Sequence, residues 1–503
     1  MNTADVAPGA VRRVVIAGGG TAGWMAAITL STYFSKLLDI TLVESEEIGT
    51  VGVGESTVPP ITAFHRLLGI DERNFMTECA ATFKVGIWFE NWARIGDVYV
   101  HPFGRFGEPS WMAEFHNFWL HSQAKGGKAP LSDYCYEYVA ALKGKFALRE
   151  NPRINYAYHF DAALYSRYLR KLATAKGVKR IEGRIKEVRK NGAGFVESLE
   201  LHDGQVIQGD LFIDCTGFRG LLIEGALQTG FEDWSHWLPC DSAVAFQTAV
   251  DTPAQPVTAC YAHSAGWRWN IPVQHRVGNG VVYCSKYMSD DEARAKLLAD
   301  SGGTPVKEPW QIRIKAGRRK QAWNKNVVAL GLASGFVEPL ESTSIHMIMT
   351  AALRLAHFFP FAGVNEPMTG RYNELSRYEI ERIRDFVCMH YHFTERDDTK
   401  FWQMCRAMEI PDSLRERVEL FKKGGYIYKM DGELFTADSW AAVMLGQRIQ
   451  PETYHHFAMV NDEELKVFMA KHREKVAQVV NALPAHADFV KQYCPASPET
   501  WAR

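Results

Sequence analysis

A glycine-rich turn between a short apolar run and a helix-like segment constrains this 503-residue chain more than any other feature. The apolar run at residues 14–17 precedes GGGTAG, in which Gly18, Gly20 and Gly23 satisfy the pattern G-x-G-x-x-G. Glycines at these places permit a tight turn and close approach of a ligand to the backbone. The helix that follows offers its free N–H groups to a pyrophosphate. The pattern therefore predicts a Rossmann-type unit that binds a dinucleotide.

An acidic residue at a suitable distance supports this prediction. A second apolar run, residues 40–43, ends in Glu44, which lies 21 residues after Gly23. An acid at this spacing is typical of a ligand for a ribose hydroxyl. We predict that the cofactor contacts in this part of the chain are Gly18, Gly20, Thr21, Ala22, Gly23 and Glu44.

FAD is the dinucleotide that the rest of the chain favours. The fingerprint occurs once in the sequence, so a second unit for NAD(P)H is not evident. Residues 209–217 and 326–333 are further apolar runs that reach an Asp or a Gly, similar to the downstream cofactor-contacting strands of FAD proteins. Each run taken alone is equally consistent with an ordinary buried strand.

Composition and charge exclude several classes of protein. Apolar residues make up 47% of the chain and charged residues 23%, which excludes a disordered protein. The formal net charge of −1 argues against a protein that coats nucleic acid, because that role needs a surplus of Lys and Arg. Nine scattered cysteines without a C-x-x-C pair indicate reduced thiols and a cytoplasmic protein. The uncharged stretch at residues 14–35 contains the glycine turn, so no membrane segment is predicted.

The remaining patterns predict an α/β protein with a helical C-terminal region. Residues 49–60 are rich in Gly and Pro and predict a flexible loop. We expect further strands over residues 85–89, 242–250, 281–287 and 311–315, and helices over residues 161–175, 345–358 and 372–389. Histidines at positions 390, 392, 455 and 456 lack a third ligand at a suitable spacing, so we interpret them as ordinary histidines and predict no metal site.

Five ordered segments resemble flavin-dependent halogenases of the tryptophan halogenase family. They are GGGTAGW at residues 18–24, GVGEST at 52–57, FKVGI at 83–87, GWRWNIP at 266–272 and GFVEPLEST at 335–343. The W-x-W-x-I-P block is specific to this family among flavin monooxygenase-like proteins. The similarity runs from about residue 14 to at least residue 355.

This resemblance implies both a fold and a reaction. The expected fold is an FAD-binding Rossmann-like module of the flavin monooxygenase type over residues 1–360, with an interleaved substrate-side sheet in insertions at about 85–135 and 240–315. A mostly helical region over residues 361–503 would cover the substrate and pack as part of one unit. The implied enzyme uses reduced FAD, O2 and chloride or bromide to form hypohalous acid, which halogenates an electron-rich aromatic ring.

The catalytic residues follow from the matched motifs. The resemblance implies that Lys84 handles the oxidised halogen, either by an ammonium hydrogen bond to hypohalous acid or as a haloamine. Either role needs a lysine that is partly desolvated, and such burial lowers the pKa of a lysine. The resemblance places Glu341 near Lys84, where a carboxylate can stabilise the cationic ring intermediate and take its proton. Pattern alone favours a surface lysine and a helix-capping carboxylate instead.

The same motifs imply the halide site and a wall between substrate and flavin. Thr343 and Ser344 match positions whose backbone N–H groups hold the halide, and a helix start suits an anion on general grounds. Many tryptophan-acting relatives have Gly where this chain has Ser344, so the choice between chloride and bromide stays open. Trp267 and Trp269 match residues that hinder the substrate from reaching the flavin.

The resemblance also implies the remaining contacts of cofactor and substrate. Leu332 and Ile345 are expected to contact FAD, and His101 and Phe103 a small aromatic substrate such as indole or a tryptophan-like molecule. Residues 426–435 lack the paired tyrosines and the Phe-Trp pair that help tryptophan-acting relatives to hold the amino acid. Because burial of an unpaired ammonium or carboxylate is unfavourable, we expect indole or a less polar derivative to be a better substrate than tryptophan.

The remaining expectations concern the partners of the protein and the alternatives to the halogenase function. A separate NAD(P)H flavin reductase is expected to supply reduced FAD by diffusion. We expect no nucleic-acid or membrane partner, and a homodimer is one alternative for the assembly. Two other functions remain open at this stage. They are an FAD-dependent aromatic hydroxylase or monooxygenase and a non-catalytic FAD-binding regulator.

Overall fold

The computed structural model describes residues 10–47, 54–108, 113–455 and 461–501. The strands of these residues, in chain order, are β1 (Arg13–Ala17), β2 (Asp39–Glu44), β3 (Gly54–Ser56), β4 (Thr82–Lys84), β5 (Gly86–Glu90), β6 (Val98–Pro102), β7 (Ala157–Asp161), β8 (Lys179–Glu182), β9 (Ile185–Lys190), β10 (Val196–Leu201), β11 (Val206–Gln208), β12 (Leu211–Asp214), β13 (Phe231–Asp233), β14 (Ser242–Thr248), β15 (Val257–His263), β16 (Gly266–Pro272), β17 (Val277–Tyr283), β18 (Trp310–Arg313), β19 (Gly317–Arg319), β20 (Trp323–Asn324), β21 (Val327–Ala329) and β22 (Gly335–Phe336).

The α-helices of the described residues are α1 (Thr21–Phe34), α2 (Pro60–Leu67), α3 (Glu72–Glu78), α4 (Phe115–Ala124), α5 (Tyr136–Lys143), α6 (Ala162–Ala175), α7 (Asp290–Asp300), α8 (Ser344–His357), α9 (Glu366–His392), α10 (Lys400–Ala407), α11 (Asp412–Gly424), α12 (Ala437–Gly446), α13 (Asp462–Asn481), α14 (His486–Tyr493) and α15 (Pro498–Trp501). A 3₁₀ turn, Pro339–Glu341, precedes α8.

A six-stranded sheet holds the predicted dinucleotide-binding unit. Its strand order is β20-β21-β12-β1-β2-β8, and the neighbouring strands are parallel except β20 and β21. In the centre of the sheet, Val14 of β1 lies beside Ile40 of β2 and Leu211 of β12. Residues 14–17 are all buried, because a central parallel strand is covered on both faces. The predicted α/β fold with a parallel sheet is confirmed.

A seven-stranded sheet forms a second layer, in the order β18-β14-β17-β16-β15-β5-β6. Neighbouring strands are antiparallel except β15 and β5. The strands β5 and β6 come from an early part of the chain and β14 to β18 from a later one. The sheet therefore interleaves with the six-stranded sheet along the sequence.

The predicted strand at residues 281–287 differs most from the observed one. It is observed as β17, which begins at Val277 and ends at Tyr283. The pattern missed the first half of this strand because Gly278 and Gly280 interrupt the apolar run. Gly280 is needed there, since a Cβ at this position would lie 2.0 Å from the ring of Trp269.

The predicted loop over residues 49–60 is wrong in its second half. Gly54–Ser56 forms β3, which pairs with β7, and α2 begins at Pro60. Proline fits the first turn of a helix because the N–H group that it lacks would have no partner there. Gly54 packs against β16, where a Cβ would lie 3.1 Å from the side chain of Ile271. The first half of the predicted loop, residues 49–53, lies outside the described residues.

The described elements from Glu366 onward are helices, and they share the cores of the two large sheets. One apolar cluster joins the six-stranded sheet to Val476 and Val480 of α13. A second cluster joins the seven-stranded sheet to α9, α10, α11 and α12. Both cores include residues from either side of residue 360. The predicted domain boundary at that position stays a prediction.

Two further observations concern expectations made from composition. No helix in the described ranges is long and apolar enough to cross a membrane. All nine cysteines are free thiols, and eight of them are buried.

A buried ion pair holds the segment before α12 against α11. Arg417 donates to Glu433 at 2.7 Å, and each side chain is only 2% exposed. The guanidinium of Arg417 also lies over the rings of Tyr428 and Trp440. Glu433→Leu should lower the free energy of unfolding by about 3–5 kcal/mol, because it leaves Arg417 as an unpaired buried charge. Urea unfolding followed by tryptophan fluorescence measures this change.

The control for this prediction is Asp431→Asn, at an exposed position two residues away. It should change the free energy of unfolding by less than about 0.5 kcal/mol. An equally small effect of Glu433→Leu would show that the ion pair does not stabilise this region.

Candidate active site

A cavity of about 1020 Å³ opens at the carboxyl ends of the parallel strands. The glycine turn after β1, Glu44 at the end of β2 and the segments that follow β12 and β21 line one side of it. Trp267, Trp269 and Ile271 of β16 line the other side. Ligands of open parallel sheets bind at this end of the strands. The cavity therefore lies between the two large sheets, where the sequence predicts the cofactor.

The glycine turn has the shape that a dinucleotide requires. Gly18 has a φ of +108°, which a side chain would strain, and a Cβ on Gly23 would lie 1.9 Å from the carbonyl oxygen of Gly18. Helix α1 begins at Thr21 without an acidic residue in its first turn and without a side-chain cap. Its first N–H groups are thus available to an anion. Gly18, Gly20, Thr21 and Ala22 line the cavity and fit FAD. Gly23 does not line it and instead packs against the backbone of Gly18, so its predicted contact with FAD stays a prediction.

Glu44 is held in a defined orientation at the cavity wall. Its Oε2 accepts a hydrogen bond from Trp24 Nε1 at 3.2 Å, and its Oε1 accepts from Arg180 and from Arg170. Leu332 and Ile345 also line the cavity. The geometry brings these predicted cofactor residues to one place, and their individual contacts with FAD stay predictions.

Lys84 is completely buried at the end of β4, where the sequence pattern alone favoured a surface position. Its Nζ donates to Ser56 Oγ at 2.8 Å, to Ser342 Oγ at 2.8 Å and to the carbonyl oxygen of Thr57 at 3.1 Å. Ser56 and Ser342 line the cavity, whereas Lys84 itself does not. The amino group therefore lies directly behind the cavity wall.

The buried position changes the acidity of this lysine. Burial lowers the pKa of Lys84 to about 7, although the charges of Glu341 and Cys260 oppose the shift. The ring of Phe103 lies on another side, with its centroid 5.1 Å from Nζ. The amino group thus faces an aromatic ring as well as the cavity wall.

Glu341 ends the 3₁₀ turn and is also completely buried. Its Oε2 lies 2.7 Å from Nδ1 of His101, and its Oε1 lies 2.8 Å from Nε2 of His390. Burial alone would raise the pKa of Glu341, but His101 and His390 outweigh it and lower this pKa to about 2. Glu341 is therefore a carboxylate that accepts a hydrogen bond on each oxygen. It is the residue before Ser342, to which Lys84 donates.

His101 and Phe103 belong to an aromatic patch beside Glu341. The ring of His101, on β6, lies 6.4 Å from Phe103, 5.4 Å from Phe386 and 5.9 Å from Phe435. Phe386 and Phe435 stack on each other with their centroids 3.7 Å apart. Phe386 is completely buried, His101 and Phe435 are nearly so, and Phe103 is partly exposed. The contact of His101 and Phe103 with an aromatic substrate stays a prediction.

The start of α8 offers unpaired polar groups. Thr343 precedes the first residue of the helix, Ser344, and no side chain caps the first N–H groups. The Oγ1 of Thr343 is buried without a hydrogen-bond partner, and Ser344 lines the cavity. A helix N-terminus of this kind favours an anion, as the sequence predicts for halide.

The tryptophan pair of β16 forms a rigid part of the cavity wall. Trp267 and Trp269 are both buried, with their ring centroids 6.1 Å apart. Trp267 Nε1 donates to Glu338 at 2.9 Å, and Tyr391 donates to the same carboxylate at 2.6 Å. Burial raises the pKa of Glu338 to about 7. The wall is thus held in place by a hydrogen bond from behind.

Sequence reasoning missed several residues that complete this site. Ser56 lies in a motif that was noted for its resemblance, but a serine gives no sign of which buried lysine it will contact. His390 was interpreted as an ordinary histidine, yet it contacts Glu341, which lies 49 residues earlier. Phe386 precedes His390 by one helical turn, so helix periodicity is the one signal that links the two. In the described part of the chain, no group of three or more His, Cys, Asp or Glu residues could hold a metal ion.

Known proteins resemble this chain over nearly its whole length. A family model for tryptophan halogenase matches residues 13–463. The chain is 35% identical over 509 residues to the 7-chloro-L-tryptophan 6-halogenase KtzR of Kutzneria sp. (strain 744), covering 95% of this chain and 98% of KtzR. A flavin-dependent halogenase from Xanthomonas campestris superimposes with a TM-score of 0.95 at 50% identity, over 97% of this chain and 99% of that one.

A second solved structure is similar to this chain over nearly its whole length. BrvH, a flavin-dependent halogenase from Brevundimonas sp. BAL3, has a TM-score of 0.92 at 40% identity, with 96% of this chain and 99% of that chain covered. These findings favour a halogenase over an aromatic hydroxylase or a non-catalytic FAD-binding regulator. The chain belongs to the tryptophan halogenase family and is a flavin-dependent halogenase.

Proposed function

We propose that this enzyme uses reduced FAD, O2 and chloride or bromide to halogenate an electron-rich aromatic ring, with Lys84 and Glu341 as its catalytic residues. The observation that carries the proposal is the position of these two buried groups on either side of Ser342. They lie behind the cavity wall and beside the aromatic patch. A small neutral oxidant made in the cavity would meet Lys84 before it met a substrate ring.

The cofactor and the halide have separate places in this arrangement. Reduced FAD, when bound, would activate O2 as the oxidant that turns halide into hypohalous acid. The glycine turn and Glu44 would hold the cofactor, and the N–H groups at Thr343 and Ser344 would hold the halide. Trp267 and Trp269 would keep the aromatic substrate on the far side of the wall, so that oxygen insertion into the substrate is disfavoured.

Lys84 is suited to hold hypohalous acid as an ammonium. Three oxygen atoms surround Nζ, which matches the three N–H bonds of an ammonium group. An oxidant that replaces one of these partners can accept a hydrogen bond through its oxygen, and this bond makes that oxygen a better leaving group. The geometry thus supports the hydrogen-bonding role over the haloamine that the sequence left open.

Glu341 is suited to remove the proton of the ring. Halogen transfer forms a carbon–halogen bond and breaks the oxygen–halogen bond, and the oxygen leaves as water with a proton from Lys84. The cationic ring then loses its proton to Glu341, which is a carboxylate with a lone pair left on each oxygen. Return of that proton to Lys84 restores both groups.

Lys84→Ala and the volume-matched Lys84→Met test the role of the amino group. Either change should reduce the rate of product formation to less than about a tenth of the wild-type rate, because it removes the hydrogen bond to hypohalous acid. A tenfold loss corresponds to a barrier increase of about 1.4 kcal/mol. Reduced flavin should still be oxidised by oxygen. Product is measured by mass spectrometry and flavin oxidation by absorbance. Lys128→Ala, at an exposed position, is the control. Halogenation by both Lys84 variants at a tenth of the wild-type rate or more would exclude the assigned role.

The source of reduced flavin gives a second prediction. Because the chain has one dinucleotide fingerprint, the purified protein with NADH, FAD, O2, halide and indole should make no product. Addition of an NAD(P)H flavin reductase, or of chemically reduced FAD, should start turnover. Rapid oxidation of NADH by the chain alone in a stopped-flow experiment would contradict a separate reductase.

The surroundings of the aromatic patch support a substrate of low polarity. Phe386 packs edge-on against Trp440, with their centroids 4.8 Å apart. Two charged groups of the C-terminal region near these rings are already used within the protein. Arg417 pairs with Glu433, and Asp438 accepts a hydrogen bond from the backbone of Phe106 at 3.0 Å.

We therefore expect indole, or a less polar indole derivative, to be halogenated faster than free tryptophan and at its most electron-rich carbon. The ammonium and carboxylate of tryptophan would each need a partner, and an unpaired buried charge is strongly unfavourable. Equal concentrations of indole and tryptophan in one reaction, with products separated by mass spectrometry, give the ratio directly. Predominant halotryptophan would show that the protein has partners for the amino acid.

A further inference from the structure

A buried histidine connects the carboxylate of Glu341 to a phenol. His390 lies near the end of α9 and is completely buried. Its Nε2 lies 2.8 Å from Oε1 of Glu341, and its Nδ1 lies 2.9 Å from the hydroxyl of Tyr99 on β6. Both ring nitrogens therefore have one partner each, and the three side chains form a continuous row.

The direction of these hydrogen bonds follows from the chemistry of the groups. Glu341 is a carboxylate and can only accept, so Nε2 of His390 must carry its proton. Burial lowers the pKa of His390 and so favours the neutral ring, although Glu341 opposes this effect. In the neutral ring with its proton on Nε2, Nδ1 accepts. Burial also raises the pKa of Tyr99 well above its usual value, so its hydroxyl keeps its proton and donates to Nδ1.

Aromatic packing constrains the plane of the imidazole ring. Phe89 stacks on it with a centroid distance of 4.6 Å, and Trp92 meets it edge-on at 5.7 Å. Phe386, one helical turn earlier on α9, meets it edge-on at 5.8 Å. The amide of Gln447 donates to the backbone carbonyl of His390 at 2.9 Å, which ties the end of α9 to α12.

The titratable groups around His390 come from few elements. The strand β6 contributes Tyr99 and His101, and the 3₁₀ turn contributes Glu341. Cys260 of β15 lies close enough to interact electrostatically with Glu341 and with Tyr99. The other rings that pack against the histidine, from β5 and α9 and the residues after β5, carry no charge.

We propose that His390 is a positioning residue that holds Oε1 of Glu341, and that Tyr99 selects the tautomer of His390 able to donate this hydrogen bond. The inference rests on the proposed function of Glu341. With His101 on the other oxygen, the carboxylate is held at both ends and cannot rotate, so its remaining lone pairs keep one direction. Loss of His390 frees one oxygen and leaves hypohalous acid formation intact, because the flavin cavity and Lys84 do not contact His390.

The test compares His390→Leu with His390→Gln, whose side-chain amide can donate in place of Nε2. His390→Leu should lower the turnover number for halogenated indole about tenfold or more, with little change in KM. Oxidant that is not transferred should escape, so a larger share of it should react with a thioether trap in solution. The acidic limb of the pH–rate profile should move to higher pH, because a carboxylate that loses a donor is protonated more easily.

Further variants separate positioning from stability. His390→Gln should recover a large part of the rate and should return the acidic limb towards that of the wild type. Tyr99→Phe should fall between the wild type and His390→Leu, because Nδ1 of His390 then loses its donor and Glu341 alone favours the tautomer with the proton on Nε2. His392→Leu, two residues further along α9, is the control. It should leave unchanged both the pH profile and the coupling ratio, which is the amount of oxidant transferred to indole relative to the amount caught by the trap. If His390→Leu does not fold, His390→Gln and Tyr99→Phe still give the coupling ratio and the pH profile.

Two results would overturn the inference while the wild-type enzyme halogenates indole. One is wild-type turnover and coupling in His390→Leu. The other is an equal loss of rate in both His390 variants with an unmoved pH profile and no increase in trapped oxidant, which would mean that His390 serves packing alone. If the wild-type enzyme with reduced FAD forms no halogenated product from any aromatic substrate, the proposed function itself fails.

Discussion

A buried carboxylate is stable only where hydrogen-bond donors replace the water that it has lost, and Glu341 is the clearest case in this protein. Its two donors, His101 and His390, come from a strand and from a long helix that are far apart in the chain. The requirement ties the seven-stranded sheet, the 3₁₀ turn and the C-terminal helices to one another. A displacement of any of these elements would remove at least one donor from an ionised group in the core.

The same turn also lies between the cavity and the aromatic patch. Glu341 faces the aromatic patch, and Ser342 faces the cavity and contacts Lys84. The helix start that follows offers the N–H groups expected to hold halide. In the proposed function, the chain passes within a few consecutive residues from the substrate side to the cofactor side, and Trp267 and Trp269 would keep the two sides apart. Burial of Lys84 behind this wall lowers its pKa and keeps it away from bulk water.

Much of the fold and part of the site could be predicted because they depend on local pattern. The glycine turn, the run at residues 14–17 and the spacing of Glu44 identify a dinucleotide-binding unit, since these features arise within one βαβ segment. The motifs around Lys84 and Glu341 identify a family. By contrast, the strand at β17 was displaced and β3 was missed, because the glycines in them are there for contacts with β16 rather than for turns.

The sequence by itself determined the α/β class and the family, and it predicted the flavin site and the roles of Lys84 and Glu341. Only the tertiary structure decided that Lys84 is completely buried, that two serines surround its amino group, and that His390 completes the support of Glu341. The physical reason is that each of these facts depends on pairs of residues that are distant in the chain. A hydrogen bond between α9 and a turn 49 residues earlier leaves no periodic signal in the sequence. It exists because the packing of the sheets and helices brings a donor to a buried charge.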